Sequence, residues 1–393
     1  MVNAIETLTI DTKRAIEDTI SLVKIDSQNP GPQEGACTDW LYRRLSGMGL
    51  EVIRQAVRPG RDNLIVTIPG RGTSPRLILS AHTDVVPAGP DWTVPPFEGR
   101  VQDGRIYGRG AADMKSGMAV ALGTIEALTH SEPPGGDVVL ALTVDEEAPD
   151  MAGVHALVAD GLVGEEDQVL ALEPTGLRLR IAQIGLRWLA VKTHGRMAHA
   201  GRAHLGVDAN HVMARAVDRL KDRVAALPYE DPLLGRPRFT CGTITGGVAT
   251  NVVPATCEAQ LDLRLVPPMT MAEVEGLVQT VFDETVQEFP GAGFEIAPLG
   301  VARPPVKAAE SSIIVTRLRE AYQQVTGRPL ETGGADGHEA YTDASMIAAL
   351  LDSDSCTVFG PGSSDHAHTA DEFVALEEIE TACRVMEVLV RAW

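Results

Sequence analysis

Basic residues are scarce in this chain: 34 Lys and Arg stand against 54 Asp and Glu, a formal charge of −20 at pH 7. A phosphate-binding surface needs a dense basic face, so the charge argues against nucleic acid or an anionic membrane as a partner. Cysteine is sparse as well. Cys37, Cys241, Cys257, Cys356 and Cys383 are odd in number, scattered and in no CxxC arrangement, which argues against a disulfide framework and for reduced thiols in a cytosol. Long apolar runs are missing too. The stretch from Met1 to Ile25 is broken by Glu6, Asp11, Lys13, Arg14, Glu17 and Asp18, so no signal peptide is expected there, and nowhere do about 20 apolar residues run together as a membrane span requires. The expectation is a cytoplasmic protein without internal repeats or low-complexity tracts. What the chain does have is length: 393 residues, 44% of them hydrophobic, enough for two or three domains with a sizeable core.

Apolar periodicity organises that length. Ala15, Ile16, Ile20 and Val23 follow Asp11 at helical spacing, and Trp40, Leu41, Leu45 and Met48 precede Gly49, a natural helix stop. Short β-rich runs then alternate with helical stretches: Leu64–Ile68, Leu77–Ser80, a small-residue helix over Ser116–Leu128, Val138–Val144, a helix near Val154–Val158, and Val169–Leu172. That alternation predicts an α/β sheet, in which chemistry collects beyond the carboxyl ends of strands. From Leu179 the pattern changes to Leu179–Gln183, Trp188–Thr193, a helix over Val207–Leu220, Phe239–Thr245, Cys257–Leu265 and a helix over Met271–Phe289. The order strand, strand, helix, strand, strand, helix predicts a compact α+β insert. Beyond Pro304 and Pro305 the α/β pattern resumes, with helices over Ser311–Gln324 and Leu376–Val390.

Acids and histidines punctuate the ends of these runs: His82, Asp84, Asp113, Glu146, Glu147, Glu173 and His368. Together they offer oxygen and nitrogen ligands for two divalent metals, with one carboxylate left over as a base. His82 lies just beyond Leu77–Ser80, and Asp84, two positions on, shares its face in an extended segment and reaches the distal imidazole nitrogen. The simpler alternative is a polar surface turn. Asp113 sits in a glycine-rich bend, Gly108-Arg-Gly-Ala-Ala-Asp113, where one oxygen can serve each of two metals; helix capping is its plainer use. Glu146 and Glu147 would repel in one site unless one is tied to a metal and the other is free to take a proton from water. Glu173 ends a buried run before Pro174, and spacing alone does not choose between His366 and His368.

In combination these motifs resemble the dinuclear metallohydrolases that include acetylornithine deacetylase, succinyl-diaminopimelate desuccinylase, aminoacylase and the glutamate-releasing carboxypeptidases. The resemblance runs over nearly the whole chain. It implies a mixed-sheet α/β zinc-hydrolase catalytic domain over 1–178 and 302–393, with an inserted α+β, ferredoxin-like lid and dimerisation domain over 179–301. It implies that His82, Asp113 and Glu173 hold one metal and Asp113, Glu147 and His368 the other, with zinc first and cobalt or manganese able to substitute. Glu146 would be the general base, Asp84 would orient His82, and the peptide after Asp113 would be cis. Ala198-His199-Ala-Gly resembles the segment whose histidine reaches the oxyanion from the partner of a homodimer. Asn251 and Arg264 resemble substrate-binding positions, Arg264 through a bidentate carboxylate pair; a surface salt bridge with Asp262 or another acid is its plainer use. Two departures stand out: Ala203 replaces a proline common among relatives, and Ser345 stands where several deacylases carry arginine. The implied activity is hydrolysis of the amide of an N-acylated amino acid or related small molecule. Alternatives are a metallo-carboxypeptidase or dipeptidase, and an aminohydrolase acting on another carbon–nitrogen bond. A metal-binding or dimeric scaffold without catalysis would have no chemical need for Glu146.

Overall fold

The computed structural model describes residues 8–31, 33–333 and 341–393. The first seven residues of the Met1–Ile25 stretch, where no signal peptide is expected, lie outside that range. Among the described residues no helix is long and apolar enough to cross a membrane. The chain divides into two compact units, one running to Ala182 and again from Lys307 onward, the other Gln183–Val306 together with Tyr341.

In the first unit a six-stranded mixed sheet runs Ile53–Arg58, Arg61–Ile68, Val138–Thr143, Leu77–His82, Gln168–Ala171, Cys356–Val358. The last four are mutually parallel, while Arg61–Ile68 pairs antiparallel with Val138–Thr143 and with Ile53–Arg58. Every residue of Leu77–His82, Val138–Thr143 and Gln168–Ala171 is buried. That is why they read as continuous apolar runs rather than alternating ones, as strands covered on both faces do. Helices Thr12–Val23, Ser116–Thr129 and Leu376–Arg391 pack on one another, and Ala152–Ala159 packs on Asp343–Leu351.

Two glycines let backbone come close where it matters. A Cβ on Gly117, at the start of the small-residue helix, would run into the Leu172 carbonyl, and one on Gly360 would meet the carbonyls of Leu172 and Glu173. The chain leaving Gln168–Ala171 is therefore gripped between a helix start and the loop after Cys356–Val358. A small antiparallel sheet of Phe373–Ala375, Arg105–Tyr107 and Arg100–Gln102 joins the segment before Asp113 to the segment after His368.

The second unit is a four-stranded antiparallel sheet in the order Arg238–Gly246, Thr256–Leu265, Gly185–His194, Gly293–Arg303, with helices Ala209–Ala225 and Met271–Gln287 against it. Along the chain this is strand, helix, strand, strand, helix, strand, the ferredoxin-like arrangement. The expected order of paired strands is corrected in two places. Leu179 and Arg180 form isolated bridges to Thr332 and Val358 in the first unit. The unit closes instead with Gly293–Arg303, a run whose Pro298 argues against a strand; as an edge strand it tolerates proline, with a register shift between Leu299 and Arg303.

Candidate metal centre

The parallel strands of the first unit deliver side chains to one end of the sheet. His82 is the last residue of its strand, Glu146 and Glu147 follow Val138–Thr143, and Glu173 follows Gln168–Ala171. Asp113 arrives from the bend before Ser116–Thr129 and His368 from the loop beyond Cys356–Val358. Ligand atoms of His82, Asp113 and Glu173 lie within 4.8 Å of one another, as do those of Asp113, Glu147 and His368, and those of His82, Glu146 and Glu147. Asp113 is common to the first two groups.

Asp113 does not cap the helix that follows; Lys115 holds that position without a side-chain cap, and the Asp113 carboxylate faces His82 Nε2 at 3.1 Å and His368 Nε2 at 3.4 Å. The Asp113–Met114 peptide is cis. Of the two candidate histidines, His368 lies 2.8 Å from Glu147 Oε1, whereas His366 stacks on Phe373 at 4.2 Å between centroids. The geometry favours His368.

Asp84 differs from expectation in one respect. His82 Nδ1 lies 2.9 Å from the Asp84 backbone carbonyl and 3.4 Å from its carboxylate. A carbonyl only accepts, so Nδ1 carries a proton and Nε2 is turned to Asp113 and Glu173. The Asp84 carboxylate mainly accepts other donors: the backbone N–H groups of Glu146 (3.2 Å) and Glu147 (3.1 Å) and the Asn29 amide (2.8 Å). The chain leaves its strand at His82, so the alternation that would set the two side chains on one face no longer applies.

The electrostatics are those of crowded, buried acids. Asp84, Glu146 and Glu173 are buried, Glu147 and Asp113 nearly so. Burial pushes Glu173 up to about 7, against the pull of His82. Burial likewise raises Glu146 well above the usual carboxylate range, opposed by His82 and reinforced by Glu147 and Glu173, and raises Glu147. Hydrogen bonds to Asp113 and Glu147 push His368 up to about 11. Asp113 goes the other way: burial opposes ionisation, but hydrogen bonds from His368 and His82 hold its carboxyl below the ordinary range. A largely buried cluster of carboxylates with two imidazole nitrogens beside it has the donor set of a divalent metal site without thiolate, suited to zinc, cobalt or manganese.

Several residues that steady this cluster carry no local sequence signal of a role. Glu372, fully buried, accepts the backbone N–H groups of Ala112 (2.9 Å) and Asp113 (3.0 Å) and forms an ion pair with buried Arg109. Gly108 N donates to the Glu372 carbonyl at 2.9 Å. The bend bearing Asp113 and the loop bearing His368 are thereby tied together. Glu34, also fully buried, accepts from Thr83 Oγ1 at 2.8 Å and from Asp145 N at 3.1 Å. Both acids read as ordinary helix-flanking or motif-closing residues until their burial is known.

The remaining expected site residues lie in the second unit. His199 is exposed, and its Nδ1 accepts the Gly201 N–H at 3.0 Å. Asn251 is exposed beside it, its carbonyl accepting from Ala200 N at 2.9 Å. Arg264 instead forks onto Asp262 at 2.8 and 2.9 Å, the plainer of its two readings. Ser345, where some deacylases carry arginine, is buried and its hydroxyl accepts from Thr342 N at 3.1 Å, capping helix Asp343–Leu351.

Fold and cluster together define an α/β protein with a candidate dinuclear centre at the carboxyl end of its parallel strands. The chain belongs to peptidase family M20/M25/M40, whose model matches residues 78–392. It is 31% identical over 385 residues to the succinyl-diaminopimelate desuccinylase of Cereibacter sphaeroides, covering 92% of this chain and 94% of that one. It is 29% identical over 374 residues to the N-acetyl-L-citrulline deacetylase of Xanthomonas campestris pv. campestris, covering 93% and 94%. Among solved structures, the aminopeptidase PepT of Bacillus cereus superposes with a TM-score of 0.79 at 22% identity, covering 98% of this chain and 99% of that one. An M20 metallo-carboxypeptidase of Sulfolobus solfataricus gives 0.78 at 18%, covering 96% and 98%.

Proposed function

We propose that this protein is a metal-dependent hydrolase that cleaves the amide of an N-acylated amino acid or related small molecule. His82, Asp113 and Glu173 would hold one divalent ion and Asp113, Glu147 and His368 the other. Ions bound there would polarise the amide carbonyl and lower the pKa of the attacking water.

Glu146 carries the proposal. It is buried among the candidate ligands and its backbone is fixed by Asp84, yet no hydrogen bond among the described residues engages its carboxyl. Its raised proton affinity suits a base that takes a proton from water and then hands it to the leaving amine. His199 suits the oxyanion. With Nδ1 accepting from Gly201, a neutral ring holds its proton on Nε2, ready to donate to the tetrahedral intermediate. His199 of a second copy would complete the site, which makes the second unit a lid and dimerisation domain and the protein a homodimer. Asn251 would contact the substrate from the same segment. Arg264 would meet a substrate carboxylate only by exchanging Asp262 for it. The deacylase reading is preferred over the peptidase one because relatives sharing about a third of the sequence are named as a desuccinylase and a deacetylase.

The test is Glu146→Gln, which keeps shape and removes the base. Turnover should fall by about 10²–10⁴ while two metals per chain remain measurable by elemental analysis. Substantial residual activity with metal bound would rule the role out.

A further inference from the structure

We infer that Asn29 is a positioning residue for the turn bearing Glu146 and Glu147, acting as the neutral bridge between two buried carboxylates. This rests on the reading of Glu146 as base and Glu147 as ligand. Asn29 follows the first helix, and its backbone N–H is held by the Val85 carbonyl at 2.9 Å, alongside the bridge between Gln28 and Val85. Its side-chain Nδ2 lies 2.8 Å from Asp84 Oδ2 and 2.9 Å from Asp145 Oδ1. Asp84 is 0% and Asp145 1% exposed. An amide NH₂ has two donors and no charge, so it gives one N–H to each carboxylate.

What the two acids do gives the bridge its consequence. Asp84 accepts the backbone N–H groups of Glu146 and Glu147 through its two oxygens. Asp145 begins the same turn in the left-handed region, with φ of 63°, and is also paired with Arg58 through Oδ2 and with Arg61 through Oδ1, the oxygen that Asn29 contacts. Without Asn29 no shared donor would join the two carboxylates: Arg58 and Arg61 would still pair with Asp145, but Asp84 would lose its donor on that side, and with it the tie between the two parts that fix the turn. Asn29 acts on the reacting groups only through these acids.

Three full-length variants test the inference: Asn29→Ala, which removes both donors; Asn29→Asp, which keeps the shape but replaces them with a third carboxylate; and Asn29→Ser, which keeps one donor should the others fold poorly. Hydrogen exchange of the peptide spanning residues 144–148 reads the turn without reference to any substrate. In Asn29→Ala we expect it to speed by about tenfold, with the strand Leu77–His82 unchanged. On an N-acyl amino acid, kcat should fall by about tenfold with KM within about twofold, and Asn29→Asp should be at least as impaired as Asn29→Ala, with Asn29→Ser between them and wild type. A space-filling role predicts the reverse order, with the isosteric Asn29→Asp matching wild type. That order, or unchanged exchange in Asn29→Ala and Asn29→Ser, overturns the inference. If exchange speeds as expected while wild type hydrolyses no amide, the positioning role stands and the functional reading falls.

Discussion

Glu34 is one of several buried acids through which this molecule responds to pH. Burial, with Asp84 close by, pushes its carboxyl from 4.5 up to about 8, despite the hydrogen bond from Thr83. A group whose proton is held more tightly when folded contributes stability that is complete below its unfolded pKa and is lost as pH rises through the folded one. The metal-free protein should therefore lose stability from Glu34 between pH 4.5 and about 8. Glu34→Gln, which imitates the protonated form, should lessen the fall of the melting temperature over that window, the remainder coming from acids such as Glu173; an unchanged slope would place the titration elsewhere. At this scale the sequence anticipated which acids and histidines gather in one cluster. His82, Asp113, Glu146, Glu147, Glu173 and His368 all meet at the same end of one sheet because each follows an apolar run that becomes a strand or lies in a glycine-rich bend. Glu34, Glu372 and Asn29 were not legible, since their significance comes from long-range burial: Asn29 meets Asp145 across 116 positions of chain.

Among the elements, long buried strands and amphipathic helices were readable from periodicity, and short or proline-bearing ones were not. Arg100–Gln102, Arg105–Tyr107, Cys356–Val358 and Phe373–Ala375 span three residues each, too few to show a period, yet the first two and the last tie the bend of Asp113 to the loop of His368. The fully buried ion pair of Arg109 with Glu372 fastens that connection. Arg109→Met would strand a buried carboxylate and should cost about 3–5 kcal/mol, read as a lowered denaturation midpoint together with weaker metal binding. The approach of helix Ser116–Thr129 to the chain bearing Glu173 depends on a missing side chain. Gly117→Ala would set a methyl against the Leu172 carbonyl, costing about 1–3 kcal/mol and displacing Glu173. Unaltered stability and metal affinity in that variant would show that the helix start can shift without consequence.

For the whole molecule, the proposal makes each active site the joint product of two chains. Glu146→Gln and His199→Ala variants should each be inactive alone. Mixed and allowed to exchange subunits, they should recover about a quarter of wild-type activity, because half the dimers are mixed and each of these holds one intact site. No recovery in a demonstrably mixed dimer would mean that His199 acts within its own chain, and an active His199→Ala variant that it does not act at all. The ferredoxin-like order of the second unit was only partly visible in sequence, since its last strand is an edge strand containing Pro298. The central claim, metal-dependent amide hydrolysis, is tested most directly by amine release from a panel of N-acyl amino acids and dipeptides. The protein would be stripped by chelation and then reloaded with zinc, cobalt or manganese. The account predicts that release from N-acyl amino acids disappears on stripping and returns on reloading. Release that persists in the stripped protein, or none from a protein shown to bind two ions, would contradict it.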